Sequence, residues 1–391
     1  MKKSKSKILA LVLVLIVIIL SIILVSVKVT NYVNRINGYD KANINKTYLE
    51  KRNKSNHKPS DLREVKANDI NIKNVDTYLK NIQFNGSVTI FKNGQLMLDK
   101  GWGYQNIKTG KKNTPNTMYL IGSAQKFATG LILKKLEIEH KVNINDDVTK
   151  YIPWFKTSEP ITLKDLMLHR SGLYKFKASP KTKSLNGAVH DIQYKGINEQ
   201  YYHKHFYNDA NYLVLAQVIE VVTHKSYTQN YYERIGQPYK LEHSAFFNEK
   251  AYKHNMATGY KVIKNKIKQT KPNVLDQYYG AGNLYMTTHD MAKLINHLQH
   301  NNIFNKTITT PLLQVFGNTT YPEAYRYGFY VTPQYDRING VFFGQTFTVY
   351  FNQQYIVVVA SNKVDKAKSS NEKVISYIYH HLLGQHAYIN Y

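Results

Sequence analysis

Ser123 and Lys126 have the residue types and the spacing that chemistry needs. If a helix begins at Ser123, the amine three residues on shares its face and reaches its hydroxyl. A lysine in a dry pocket, or near other cations, gives up its proton more readily and serves as a general base. A helix start also offers free N–H groups and positive potential to an oxyanion. The pair alone is a weak signal. Ser-x-x-Lys occurs four times, at Ser4/Lys7, Ser55/Lys58, Ser123/Lys126 and Ser370/Lys373. Only Ser123 opens a long apolar helical pattern after a turn; the plainer reading is an ordinary N-cap serine.

The elements that must position this pair can be read around it. Residues 86–91 form a strand, 92–95 an Asn-Gly hairpin turn and 96–104 the partner strand. Helical patterns cover 123–139, 163–168, 209–222 and 288–299, and strands return at 327–332, 344–351 and 355–361. A last amphipathic helix covers roughly 370–383. The expected fold is α/β of the α+β kind. Both ends of the domain form one antiparallel sheet, flanked by helices, with an all-helical region inserted.

Ahead of this domain, Lys2, Lys3, Lys5 and Lys7 precede an apolar run from Ile8 to Val27. Twenty such residues make a helix of about 30 Å, a bilayer core. Residues 1–30 are therefore read as a cytoplasmic basic flank and an N-terminal transmembrane helix. Residues 31–80 are read as a polar extracytoplasmic linker and 81–391 as the hydrolase domain. The expected location is the cell membrane, with the domain outside and against the wall.

The net charge of +27 favours polyanionic partners. Nucleic acid is set aside, because no helix-turn-helix, zinc-finger or RNP pattern is present. An anionic membrane and phosphate-rich wall polymers remain. The absence of cysteine excludes thiol catalysis and Cys-ligated metal. With no His-Glu-x-x-His or similar spacing, neither metal nor cofactor is expected.

Further blocks follow Ser123 in order. They are Leu166-Met167-Leu168-His169-Arg170-Ser171-Gly172-Leu173, Tyr207-Asn208-Asp209, Gly280-Ala281-Gly282-Asn283-Leu284-Tyr285 and Ile338-Asn339-Gly340-Val341. In this order and spacing the chain resembles the serine β-lactamase/penicillin-binding-protein superfamily, in its class C branch, over about residues 84–385. Within that family the chain resembles esterases that remove D-alanyl groups from teichoic acids.

The resemblance implies roles. Ser123 would attack an ester carbonyl and form an acyl-enzyme, and Lys126 would take its proton. Tyr207 would relay protons, and the N–H of Val341 with that of Ser123 would form the oxyanion hole. Asn339 and Gly340 would line the substrate site. His169, Arg170 and Ser171 would be structural. The implied substrates are D-alanylated lipoteichoic and wall teichoic acids, with weak β-lactam binding and links to autolysis and methicillin resistance.

Two departures from the family stand out. Asp209 replaces an asparagine, so a carboxylate lies near Lys126 and raises its pKa. It either holds Lys126 or pairs with the free ammonium of a D-alanyl ester. Ile338 replaces the family's cation, which argues against carboxypeptidase activity and efficient β-lactam hydrolysis. A low-affinity penicillin-binding protein or D,D-peptidase, and a non-catalytic wall-polymer-binding pseudoenzyme, remain the alternatives.

Overall fold

The computed structural model describes residues 15–16, 19–26, 48–53, 59–314, 321–364 and 370–385. Its spine is an eight-stranded sheet, antiparallel throughout. The strands are β1 (Val65–Lys66), β2 (Gly86–Lys92), β3 (Gln95–Trp102), β4 (Tyr325–Arg326), β5 (Phe329–Val331), β6 (Asp336–Phe342), β7 (Gln345–Phe351) and β8 (Tyr355–Ser361), in the spatial order β1-β3-β2-β8-β7-β6-β5-β4. The two ends of the domain meet where β2 pairs with β8, Val88 facing Val359. The β2–β3 turn is the expected one, with Asn93 and Gly94 both at positive φ.

Strands β2, β7 and β8 are buried almost throughout because both sheet faces are covered. Val357 and Val359 of β8 pack with helix α1 (Ile70–Asn81) and with the C-terminal helix around Val374 and Ile375. Ile356, Val358 and Ala360 face the other way, into the larger core. Successive strand side chains alternate faces, so a strand covered on both reads as a continuous apolar run.

The inserted region between β3 and β4 is not all-helical. It holds α2 (Gln125–Ile138), α3 (Asp209–Thr223) and α4 (Thr288–Gln299), with smaller helices between them. It also carries short strands, such as Tyr119–Leu120, Ser244–Phe246 and Leu284–Met286, which form a three-stranded sheet. Segments of two or three residues show no alternation to read, and only tertiary pairing makes them strands.

The expected linker boundary at residue 80 falls too late. Helix α1, capped by Asp69, buries Ile72, Val75 and Leu79 against the main sheet, and β1 pairs with β3. Further upstream, the Arg52 guanidinium lies 3.4 Å from the Tyr232 ring centroid, and its Nε donates to Glu249 at 3.0 Å. The apolar stripe of α1 is three residues wide among lysines and asparagines, so it reads as solvated until the sheet is in place.

Of the expected membrane helix, residues 15–16 and 19–26 are described and helical, and the rest of the run lies outside the described residues. Among the described residues no helix is long and apolar enough to cross a membrane. The large apolar side chains Leu20, Ile22 and Leu24 are exposed.

Candidate active site

Ser123 lies in a single 3-10 turn, Gly122–Ala124, that runs into α2. Its hydroxyl caps neither helix. By contrast, Ser370 of the other described Ser-x-x-Lys pair caps its own helix by accepting from the Lys373 N–H. Instead, the Ser123 Oγ accepts a hydrogen bond from the Lys126 Nζ at 2.9 Å.

Lys126 is completely buried. Its Nζ also donates to the Asp209 Oδ1 at 2.5 Å and to the Ala281 carbonyl at 3.5 Å. It stands 5.0 Å from the Tyr207 ring centroid. Burial pulls the lysine pKa down, but the Asp209 charge and Tyr207 outweigh it, and the amine is pushed up to about 12. The resting lysine is therefore an ammonium, not the ready base that burial alone would make.

Asp209 opens α3, and its side chain keeps 32% of its exposure. One flank of the carboxylate thus faces the ammonium of Lys126 and another faces solvent. Asn208 caps α3 by accepting from the Ala210 N–H, and it donates to the Leu173 carbonyl. Tyr207 is thereby held at the helix entrance. Its ring packs 4.3 Å from that of His169.

His169 is itself a support. It is buried in a left-handed conformation, and its Nδ1 lies 2.8 Å from the Asn211 amide nitrogen and accepts from the Asn208 N–H. Burial, with help from Lys126 and His205, holds its pKa well below the usual range. Arg170 pairs with Glu323, and the Ser171 Oγ donates to Asn211. His169 and Ser171 thus tie this segment to α3 through Asn211, and Arg170 ties it to Glu323 ahead of β4.

Strand β6 forms the other wall. Gly340 is required there, because a Cβ at this position would lie 1.8 Å from the Ile121 carbonyl and 2.8 Å from the Ala124 nitrogen. The strand lies flush against the turn that carries Ser123. The β6–β7 hairpin closes through Phe343 and Gly344, both at positive φ, with Phe342 opposite Gln345. In such a two-residue hairpin Phe342 and Gln345 are the hydrogen-bonded pair, so Val341 and Thr346 are not. The Val341 N–H consequently points away from β7. Its nitrogen lies 3.2 Å from where a Cβ of Gly122 would be, on the Ser123 side. Ile338 is fully buried, and Asn339 accepts from the Thr348 hydroxyl at 2.8 Å.

Two contributions escape motif reading. Gln125 accepts from the N–H groups of Asn283 and Leu284, at 2.6 and 3.0 Å, which clamps the loop bearing the Ala281 carbonyl against α2. Tyr278 packs 4.8 Å from Phe342, and burial together with the Asp209 charge pushes its hydroxyl up to about 12. Gln125 sits inside the Ser-x-x-Lys block and Tyr278 just before the Gly-Ala-Gly block, but neither spacing signals a partner. Among the described residues no group of three or more His, Cys, Asp or Glu is placed to hold a metal ion.

The model of the beta-lactamase family matches residues 73–377. The chain belongs to the beta-lactamase family. Within it, the chain is 56% identical over 357 residues to a teichoic acid D-alanine hydrolase of Staphylococcus aureus strain MRSA252, covering 91% of this chain and 89% of that one. The crystal structure of FmtA from Staphylococcus aureus superposes with a TM-score of 0.86 at 55% identity, covering 89% of this chain and 96% of that one. An octameric penicillin-binding protein homologue from Pyrococcus abyssi shares the beta-lactamase fold at a TM-score of 0.69 and 21% identity, covering 81% of this chain and 78% of that one.

Proposed function

We propose that this chain is a serine esterase that removes D-alanyl esters from teichoic acids through a Ser123 acyl-enzyme. The observation that carries the reading is the Ser123–Lys126–Asp209 chain, whose outer end is a half-exposed carboxylate. A D-alanyl ester brings a free α-ammonium, whereas a penicillin or a stem peptide presents an acylated nitrogen. Asp209 is the group that would take that ammonium. The shared name of the staphylococcal relatives supports the same substrate.

The reaction follows from the charges. An ammonium arriving at Asp209 competes with Lys126 for the carboxylate and adds a like charge beside it. Burial then favours the neutral lysine, which gives up its extra proton to solvent past the exposed side of Asp209, and Lys126 becomes a base when the substrate is seated. Ser123 Oγ loses its proton to Lys126, with Tyr207 as relay, and bonds to the ester carbonyl carbon. The Val341 and Ser123 N–H groups hold the oxyanion. Collapse breaks the bond to the polymer oxygen, which leaves as an alcohol with the proton returned by Tyr207. Water then bonds to the acyl carbon, its proton passes through Lys126 and Tyr207 to Ser123 Oγ as the acyl–Oγ bond breaks, and D-alanine is freed. Asn339 and Gly340 shape the wall along which the ester lies.

Ile338 leaves no cation for a substrate carboxylate, which counts against a D,D-peptidase and for weak β-lactam binding. The basic flank and apolar run at the N-terminus support a membrane anchor, with the site facing the wall.

The deciding experiment measures alanine release from D-alanylated lipoteichoic and wall teichoic acids by the full-length chain, with Ser123→Ala as control. Release that Ser123→Ala abolishes is expected. Release no greater than that control would overturn the reading and favour a pseudoenzyme.

A further inference from the structure

Between Glu249 and Asp276 the chain carries seven lysines and no acidic residue. Five of them, Lys261, Lys264, Lys266, Lys268 and Lys271, are on or beside one exposed hairpin, Tyr260–Ile263 paired with Lys266–Gln269. Each is exposed, and none has an acidic partner among the described residues.

The register makes this more than a basic loop. Lys261 stands directly opposite Lys268, and Ile263 opposite Lys266. Directly paired residues share a face, and so do residues two apart. Lys261, Lys266 and Lys268 therefore crowd one face. Like charges facing each other across strands destabilise a hairpin. No carboxylate among the described residues pairs with any of the three.

The hairpin is also fastened to the catalytic wall. The Thr270 hydroxyl donates to the Phe343 carbonyl, and the Tyr260 N–H donates to the Gly344 carbonyl at 3.3 Å. Phe343 and Gly344 form the turn of the β6–β7 hairpin, two and three residues beyond Val341. A third strand, Lys363–Val364, runs parallel beside Tyr260–Ile263 and holds its other edge.

We propose that the Lys261/Lys266/Lys268 face binds the phosphodiester main chain of the polymer whose ester is hydrolysed, outside the catalytic pocket. The chemical class is a repeating polyanion with singly charged phosphates. Multiple lysines along an extended face suit such a chain, because each neutralised phosphate releases counterions. This inference rests on the proposed function for the identity of the polymer. The binding itself needs no ester.

The test uses the full-length protein in detergent and fluorescently labelled poly(glycerol phosphate) that carries no D-alanine. The variant K261Q/K266Q/K268Q is compared with K73Q/K306Q/K373Q, which removes equal charge from exposed lysines scattered elsewhere. The hairpin variant is expected to raise Kd about tenfold at ~0.1 M salt and to flatten the log–log salt slope by about 2, as for three lost contacts on a single-stranded polyanion. The scattered variant is expected to change Kd less than twofold. The hairpin variant should melt no lower than the parent, because it removes a repulsion. On D-alanylated polymer, the ratio of its kcat/KM to that on a small D-alanyl ester should fall about tenfold.

Equal weakening by both variants would overturn the proposal in favour of diffuse charge. Loss of binding to phosphatidylglycerol vesicles with unchanged polymer affinity would overturn it in favour of a membrane contact. The binding arm stands even if no ester is hydrolysed, so failure of the proposed reaction and failure of this surface are read separately.

Discussion

In the proposed reaction, Asp209 is the residue on which substrate choice turns. It keeps Lys126 protonated through the neutral range, since the lysine pKa is raised to about 12. A raised lysine pKa stabilises the folded state fully below the unfolded value near 10.4, and the contribution is lost as pH rises through about 12. On the proposed mechanism, catalysis with a D-alanyl ester should have a different pH dependence, because the substrate ammonium must be charged to displace Lys126. kcat/KM on a D-alanyl ester should fall above about pH 8, where an α-amine loses its proton. A propionyl ester, which has no amine, should be a poor substrate at neutral pH and should improve as pH rises. Asp209→Asn should reduce turnover of the D-alanyl ester at least tenfold and narrow its preference over the propionyl ester. Unchanged selectivity in that variant would leave Asp209 as a mere holder of Lys126.

Two elements meet at the candidate site, the turn leading into α2 and the strand β6. Their contact is backbone on backbone, and Gly340 makes it possible. Gly340→Ala should force β6 away from Ile121 and carry the Val341 N–H with it. Loss of one oxyanion donor costs roughly 10²–10³ in rate. Steady-state kinetics should show the loss chiefly in kcat, with the melting temperature changed by only a few degrees. The block Ile338-Asn339-Gly340 was legible as a motif, and so was the hairpin turn after it. The direction of the Val341 N–H was not, since it depends on which cross-strand pairs are hydrogen-bonded. The short strands of the inserted region were invisible for a related reason: they are stabilised by partners outside their own local sequence, as Tyr285 is by Leu120 on one side and Ala245 on the other.

On the scale of the whole molecule, the folded unit begins earlier than composition suggests. Arg52 is stacked on Tyr232 and paired with Glu249, whose side chain is 2% exposed. Arg52→Ala would strip one partner from a buried carboxylate that keeps the Tyr232 hydroxyl and the Phe246 N–H. It should cost about 2 kcal/mol, seen as a fall of a few degrees in thermal unfolding. An unchanged melting temperature would return residues 48–53 to the status of a spacer. The net charge of +27 acts at this scale too, and binding to any polyanion should weaken with salt.

Residue order alone pointed to the sheet built from both chain ends and the helix after Ser123, because local periodicity and turn chemistry carry that information; the ordered blocks spoke only through their resemblance to a family. It also exposed Asp209 and Ile338 as departures, since a motif shows its own exceptions. The motif departure already placed a carboxylate near Lys126; only the tertiary structure decided that the lysine is completely buried and that the facing Asp209, 83 residues downstream, outweighs that burial. A lysine pKa is set by the balance of burial against a facing carboxylate, and neither quantity exists until the chain has folded. The same holds for the lysine hairpin, whose crowded face is a property of strand register rather than of composition.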